Sequence, residues 1–505
     1  MISAEAIRRG YNHGRYTVGG PTTPGWAVPD STAGEHSVQT DPVVVPDEVL
    51  DELRATGATV ATTERELIDG TRDWWARSMI AETSGNPATP VGAIVRVETE
   101  RQVVEVLRIA SSTGIPVTAS AGRSNVTGAA LPLRGGIVLD LCALNEITDL
   151  DRTSQIVEVQ AGMFGDVFEE QLQQQGFTTG HWPSSFGLST VGGWVACRGA
   201  GQLSTRYGKI EDMVVGLDVV LPDGTELSLG HSARAAVGPD LRALFIGSEG
   251  TLGVITRVRL QVHRLPSYAR AFAYGFASFA DGLEACREIM QRGATPAALR
   301  LYDELESGLQ FDLPDTNVLL VADEGPQPLV DAGLQIAEEV CAETGTRLDG
   351  DAIFERWLET RMVTGKSAEG FKADPGFVSD TLEMTGRWRD LPAIYDEVIE
   401  ALTSVPGTLA GSAHQSHAYV TDGCLYFSLR GKVEPERRAD WYRAAWDAAN
   451  EVVLRHGATL SHHHGVGLLR APYMRESLGE SFALLETIKR VVDLDNLLNP
   501  GKLGL

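Results

Sequence analysis

Three consecutive histidines, His462, His463 and His464, stand between Ser461 and Gly465, and six of the chain's eleven histidines follow residue 410. An imidazole titrates near pH 6.5 and can take or give a proton at neutral pH. The run is therefore read as acid–base machinery. On an extended backbone successive side chains alternate faces, so His462 and His464 are expected on one face and His463 on the other. Three sequence neighbours converge badly on a single ion, and no metal is expected. Arginines such as Arg430, always charged and bidentate, could clamp an anion, as could Lys366. In an acidic chain a basic pocket would focus an anionic substrate.

A second chemical signal is glycine. The chain has 54 glycines in 505 residues, and 21 of them fall between residues 120 and 255. Three segments there each lie beside an apolar, strand-like run: Ser120 to Asn125, Pro183 to Trp194, and Gly247 to Ile255. Glycine lets backbone approach a ligand closely and reach positive φ. Exposed N–H groups in such turns can cradle a pyrophosphate. Neither GxxxxGK[ST] nor a strict GxGxxG is present, so nucleotide hydrolysis and a Rossmann site lack their signatures.

The rest of the chain must position these groups. A length of 505 residues suggests two to four domains at roughly 150 residues each. The balance of 43 basic and 68 acidic residues, net −25, disfavours nucleic acid as a partner. Five scattered cysteines without a CxxC argue against a disulfide framework or a cysteine zinc site. No apolar run is long enough for a signal or a membrane span, and the chain is expected in the cytoplasm.

Residues 1–45, rich in Gly, Pro and Thr, read as an arm. Helical patterns follow in PDEVLDELRATG and TTERELIDG. VGAIVRV, then the amphipathic ETERQVVEVLRIASSTG, then IPVTAS read as strand, helix and strand, with Gly114 ending the helix. MVVGLDVVLPDGTELSL reads as a hairpin turned at Pro222-Asp223-Gly224. Strands pairing both locally and across helices indicate an α+β fold.

PVTASAGRSNVTGA, STVGGWVACRGAG, RYGKIEDMVVGLDVVLPDG, GPDLRALFIGSEGTLGVIT and the terminal NPGKL resemble the vanillyl-alcohol-oxidase/p-cresol-methylhydroxylase superfamily of FAD enzymes. GFTTGHWPSSFGLSTVGGW, SHAYVTDGCLYF and ATLSHHHGVG resemble, more narrowly, the alkyldihydroxyacetonephosphate synthase (alkylglycerone-phosphate synthase) family. The resemblance runs from about residue 85 to 505. It implies a two-subdomain, PCMH-type FAD-binding domain over 46–267, an α+β substrate or cap domain over 268–455, and a C-terminal segment, 456–505, that returns to the FAD domain.

The resemblance also implies FAD contacts. They fall at Ala119, Ser120, Ala121, Gly122, Arg123, Ser124 and Asn125, and at Ser184, Ser185, Phe186, Gly187, Leu188, Ser189 and Thr190. Others fall at Cys197, Arg198, Gly199 and Ala200, and at Glu249, Gly250, Thr251, Leu252, Gly253, Val254 and Ile255. The family's first loop usually reads GGGTS, so Ala121 costs freedom at positive φ. Arg123 stands where relatives with covalent flavin carry a histidine, so the FAD is expected to be non-covalent.

Tyr426 stands where many superfamily oxidases have the histidine of DGNxH. A phenol of pKa ~10 is a hydrogen-bond donor or an acid and a poor metal ligand. In the synthase-like reading Tyr426 and the triplet form the reaction centre, with His464 the favoured base and His463 next. Arg300, in PAALRLYD, and Arg361, in WLETRM, match substrate-binding arginines. The implied reaction exchanges the acyl group of 1-acyl-dihydroxyacetone phosphate for a long-chain alcohol through an adduct at flavin N5. The rival reading is an FAD-linked oxidase or dehydrogenase of a hydroxy acid or alcohol. By the same likeness the expected partners are a small, anionic or lipid-like substrate, peripheral membrane contact and a second copy in a homodimer.

Overall fold

The computed structural model describes residues 42–84, 91–230, 234–362, 370 and 373–505. Most of the expected N-terminal arm, and Lys366, lie outside the described residues. Residues 42–45 run beside Gly135 and Gly136, where the Val43 N–H donates to Arg134 O at 2.8 Å and its carbonyl accepts from Gly136 at 2.9 Å.

The first sheet contains β1 (Thr59–Ala61), β2 (Ala93–Arg96), β3 (Val117–Ser120) and β4 (Ile137–Asp140), in the order β1-β2-β4-β3. The helix Glu100–Thr113 joins β2 to β3. A capping box between Thr99 and Gln102 starts it, and Gly114, at φ 68°, stops it. Such caps satisfy the N–H and C=O groups that a helix end leaves unpaired. β4 runs parallel to both β2 and β3 and lies between them. The sequence shows the strand–helix–strand unit and not this insertion. Its buried contacts include Val103, Leu107, Val117 and Leu139.

The second sheet takes β5 (Ile147–Asp151), β6 (Ile156–Gln160), β8 (Val214–Val220), β9 (Glu226–Leu229) and β10 (Val254–Gln261), in the order β5-β6-β10-β8-β9. Between them in sequence, the short β7 (Phe177–Thr178) pairs with β11 (His263–Arg264). β8 and β9 form the expected hairpin, with Gly224 at φ 79° in its turn.

The third sheet is entirely antiparallel. It comprises β12 (Tyr268–Phe276), β13 (Ala298–Tyr302), β14 (Asn317–Gly325), β15 (Thr346–Arg347), β16 (Phe377–Arg387), β17 (Thr408–Ala418) and β18 (Asp422–Lys432), ordered β15-β12-β14-β13-β17-β18-β16. Helices 279–291, 327–344, 391–404 and 438–455 bury their apolar stripes on one face, through Leu283, Leu334, Val398 and Trp446. Part of the other face, including Ala298 and Leu320, packs with the second sheet.

The chain's end returns to the first sheet. Leu498 bridges Val117, and Asn499 Nδ2 donates to the carbonyls of Ala129 at 2.9 Å and Glu249 at 2.6 Å. The fold is the α+β, PCMH-type architecture that the motifs imply. All five cysteines are free thiols. Among the described residues no helix is long and apolar enough to cross a membrane.

Candidate active site

A cavity of about 620 Å³ lies between the glycine-rich loops and the third sheet. The loop after β3 forms one wall. Gly122 is required there, because a Cβ would stand 2.1 Å from the Leu188 carbonyl oxygen. Positive φ falls on Arg123 (52°), not on Ala121, so the alanine costs nothing at that position. Asn125 Oδ1 accepts from the Thr127 and Ala129 N–H groups at 2.8 and 3.0 Å, and its Nδ2 donates to His464 O at 3.2 Å. One loop residue thus ties the glycine wall to the histidine run.

Most of the expected cofactor residues line this cavity. Phe186, Gly187, Arg198, Thr251 and Leu252 do not. Phe186 is buried behind the wall and stacks on Trp194 with ring centroids 6.1 Å apart. Arg198 turns outward to Glu211 at 3.3 Å. The Thr251 hydroxyl donates to Ser248 O at 2.7 Å, and Leu252 joins the core. Pro183 and Trp194, which bound the second glycine-rich segment, also line the cavity, as do Trp74 and Met79, which the sequence did not single out. A neighbouring aromatic or apolar residue gives no signal of its own outside the glycine pattern.

The wall fits an extended anionic cofactor. Ser120 Oγ is buried with no partner among the described residues. A Cβ on Gly250 would meet nothing nearer than 3.7 Å, which leaves backbone open to a ligand. Ser120, Gly122, Ser124, Ser184, Ser189 and Gly250 would hold the cofactor. Gly122→Ala is expected to overpack this wall at a cost of about 1–3 kcal/mol. The clash is with the chain's own backbone, so the cost falls on the folded protein and is read by chemical denaturation.

The opposite wall carries the titratable groups. Tyr426 on β18 lies across from His414 on β17 and Glu383 on β16. Its hydroxyl accepts from Thr381 Oγ1 at 3.1 Å and stands 3.3 Å from His464 Nε2. Burial holds the phenol well above its ordinary range, so it keeps its proton.

The triplet does not alternate as an extended strand would. Residues 462–464 form a bend. His463 and His464 both line the cavity, while His462 turns away from it. Glu383, fully buried on β16, holds the bend: Oε1 accepts from Ser461 Oγ at 2.7 Å and the His464 N–H at 2.9 Å, and Oε2 accepts from the His462 N–H. Arg470, also fully buried, lies 3.3 Å from Glu383 Oε1 and donates to Gly465 O at 2.8 Å. Burial raises the Glu383 carboxyl, but Arg470, His464 and His463 outweigh it and leave the pKa at about 2. Downstream, Glu249 accepts from the Val466 N–H at 2.5 Å and the Gly467 N–H at 2.8 Å. Burial raises this carboxyl to about 7, against those two N–H groups and Lys502.

Burial lowers all three imidazoles, His464 to about 4 and His462 and His463 well below 6.5. His462 Nδ1 lies 3.0 Å from His463 Nδ1, and its Nε2 lies 2.9 Å from Tyr419 Oη. Nitrogens of His417, His462 and His463 fall within 4.8 Å of one another. Of these three pairs His462 and His463 are hydrogen-bonded directly, and His417 connects to them through Ser204 and Tyr419.

Arg300 and Arg361 both line the cavity and are buried. Arg300 Nε donates to Tyr302 Oη at 3.0 Å. The Arg361 guanidinium sits 5.3 Å from the Trp182 ring and 5.0 Å from the Trp357 ring. Gln202 joins the two walls, donating to Ser184 Oγ at 3.0 Å and Arg361 O at 2.9 Å. Among the described residues Arg430 reaches only Ser412, at 3.5 Å, and it does not line the cavity. Glu306, paired with His414 at 2.7 Å, was not anticipated.

Residues 91–230 match the family described as an FAD binding domain, and residues 265–503 match the C-terminal domain of FAD linked oxidases. An uncharacterised FAD-linked oxidoreductase, YgcU, of Escherichia coli is 32% identical over 433 residues, covering 81% of this chain and 88% of its own. An alkyldihydroxyacetonephosphate synthase of Dictyostelium discoideum is 27% identical over 464 residues, covering 85% and 75%. A solved alkyldihydroxyacetonephosphate synthase superposes with TM-score 0.75 at 24% identity, covering 98% of this chain and 92% of that one. p-Cresol methylhydroxylase superposes at 0.74 with 16% identity, covering 92% and 98%. The chain belongs to the FAD-linked oxidase family with the PCMH-type fold. Its cofactor is FAD, and it is an FAD-dependent enzyme.

Proposed function

We propose that this enzyme exchanges the acyl group of 1-acyl-dihydroxyacetone phosphate for a long-chain alcohol, as the alkylglycerone-phosphate synthase resemblance implies. The observation that carries the reading is the pairing, in one cavity with the FAD loops, of neutral imidazoles with a protonated phenol and two buried arginines. Bound FAD would supply the electron sink at the substrate carbon. Arg300 and Arg361 would hold the phosphate, the first oriented by Tyr302 and the second sandwiched between Trp182 and Trp357. His463 is better placed than His464 to take the proton from C1. Its Nε2 makes no hydrogen bond among the described residues, whereas His464 Nε2 faces Tyr426. Tyr426 would donate to an oxygen of the substrate.

The test is incubation of FAD-loaded enzyme with acylated dihydroxyacetone phosphate and a labelled fatty alcohol. Labelled ether product is expected, and none would sink the reading. The second reading, oxidation of a hydroxy acid or alcohol, is favoured by the 32% identity to an FAD-linked oxidoreductase and by likeness to a glycolate oxidase subunit of Bacillus subtilis. Anaerobic mixing separates the two, because oxidation bleaches the flavin and exchange does not. With Arg123 at the loop position of the covalent histidine, acid precipitation is expected to release all the flavin into the supernatant. The same reading places the enzyme in the cytoplasm as a homodimer making ether-lipid precursors.

A further inference from the structure

Beyond the residues already given roles, His417, Tyr419 and Ser204 join the triplet in an unbroken chain. His463 Nδ1 lies 3.0 Å from His462 Nδ1. His462 Nε2 lies 2.9 Å from Tyr419 Oη, which lies 3.3 Å from Ser204 Oγ. Ser204 Oγ lies 2.6 Å from His417 Nδ1. Both end rings, His463 and His417, line the cavity; His462 and Ser204 between them are buried. The chain therefore leaves the cavity at one imidazole and returns to it at another.

Each link needs one proton, and that requirement fixes the ends relative to each other. If His463 carries its proton on Nδ1, it donates to His462, which donates from Nε2 to Tyr419. Tyr419 then donates to Ser204, and Ser204 to His417 Nδ1. His463 Nε2 is then a bare base, and His417 carries its proton on Nε2 as an acid. The opposite polarity reverses both ends. Neither Nε2 makes a hydrogen bond among the described residues. Burial keeps His417, His462 and His463 neutral, so tautomers rather than charges distinguish the two states. Lys209, which donates to His462 O at 2.6 Å, and the Glu383 contact to the His462 N–H hold the backbone that carries the central ring.

We propose that His463 and His417 are the two ends of one proton relay through His462, Tyr419 and Ser204, so that when one end is the base the other is the acid. A proton taken from a substrate C–H or O–H at one Nε2 is matched by a different proton released from the other. No charge stays in the chain and no electron moves. His417 thereby becomes a second catalytic group, and Tyr419 and Ser204 become positioning residues. The chemistry served rests on the reading above; the linkage of the ends does not.

The test uses FAD-loaded protein labelled with ¹⁵N-histidine, reading Nδ1–H and Nε2–H populations by NMR. The fraction of His463 in the Nδ1–H form should equal the fraction of His417 in the Nε2–H form. Tyr419→Phe or the milder Ser204→Ala should abolish that equality. Independent populations in the wild type overturn the relay, whatever the substrate. With an active substrate, each variant should lose about tenfold or more in kcat, part of the 10²–10⁴ typical of positioned proton transfer. The double variant should lose no more than the worse single one, because members of one chain act as a unit. Multiplying losses, or wild-type kcat in both single variants, also overturn it. Matched populations without any exchange activity leave the relay standing and defeat the synthase reading.

Discussion

Glu383→Ala is expected to destabilise the fold by about 3–5 kcal/mol, the usual result of removing one partner of a buried ion pair. Both Glu383 and Arg470 are fully buried, and alanine would leave the guanidinium 5.0 Å from the Trp446 ring with its charge uncompensated. The Ser461 hydroxyl and two backbone N–H groups, of His462 and His464, would lose their acceptor together. Chemical denaturation of variant against wild type measures the loss, and an effect below about 1 kcal/mol would show that the bend is held by other contacts. The same carboxylate sets a pH dependence. Its folded pKa of about 2 lies below the ordinary 4.5, so between those values the unfolded chain binds more protons. Its contribution is complete above pH 4.5 and is lost as the pH falls toward 2. The lowered histidines act in the same sense from pH 6.5 downward. Glu249, raised by burial to about 7, acts in the opposite sense above pH 4.5. Melting temperature should therefore fall on acidification below pH 4.5, and Glu383→Gln should flatten that fall.

Why the sequence conveyed one wall of the site and not the other has a physical basis. The cofactor wall is backbone, and backbone that must approach a ligand or another carbonyl needs glycine. Gly122 against the Leu188 carbonyl is such a position, and it stands in the composition as an excess. The helix Glu100–Thr113 was equally readable, because its cap residues and Gly114 are local. Glu383 gave no comparable signal. It is one acid in a strand whose neighbours Leu382 and Met384 are core, and its meaning appears only when β16 pairs with β18 and Arg470 arrives 87 residues later. His417 and Tyr419 sit on β17 and at its end, and their link to the triplet crosses the fold. The insertion of β4 between β2 and β3 is likewise a matter of pairing, not of pattern. Alternation misled at the triplet for a related reason: Glu383 pulls two backbone N–H groups toward one carboxylate, and a bent backbone has no period of two.

His463→Ala is expected to lower kcat by about 10²–10⁴-fold, the range for loss of a positioned general base, while FAD binding is retained. The imidazole lines the cavity, its Nδ1 is anchored to His462, and its Nε2 makes no hydrogen bond among the described residues. It is also neutral. Desolvation, reinforced by the neighbouring His464, holds its pKa well below 6.5, so at neutral pH the ring is uncharged and can accept a proton at Nε2 when its own proton sits on Nδ1. Activity governed by this group should therefore persist into mildly acidic solution and fall only well below pH 6.5. His464→Ala should act differently. That ring sits 3.3 Å from the Tyr426 hydroxyl and 3.6 Å from Glu383, so its loss removes the phenol's partner more than a free base. A smaller fall in kcat and an altered response to Tyr426→Phe are expected there. Steady-state kinetics of both variants, with flavin content measured alongside, checks the pair. Equal losses, or a larger loss in His464→Ala, would return the base to His464.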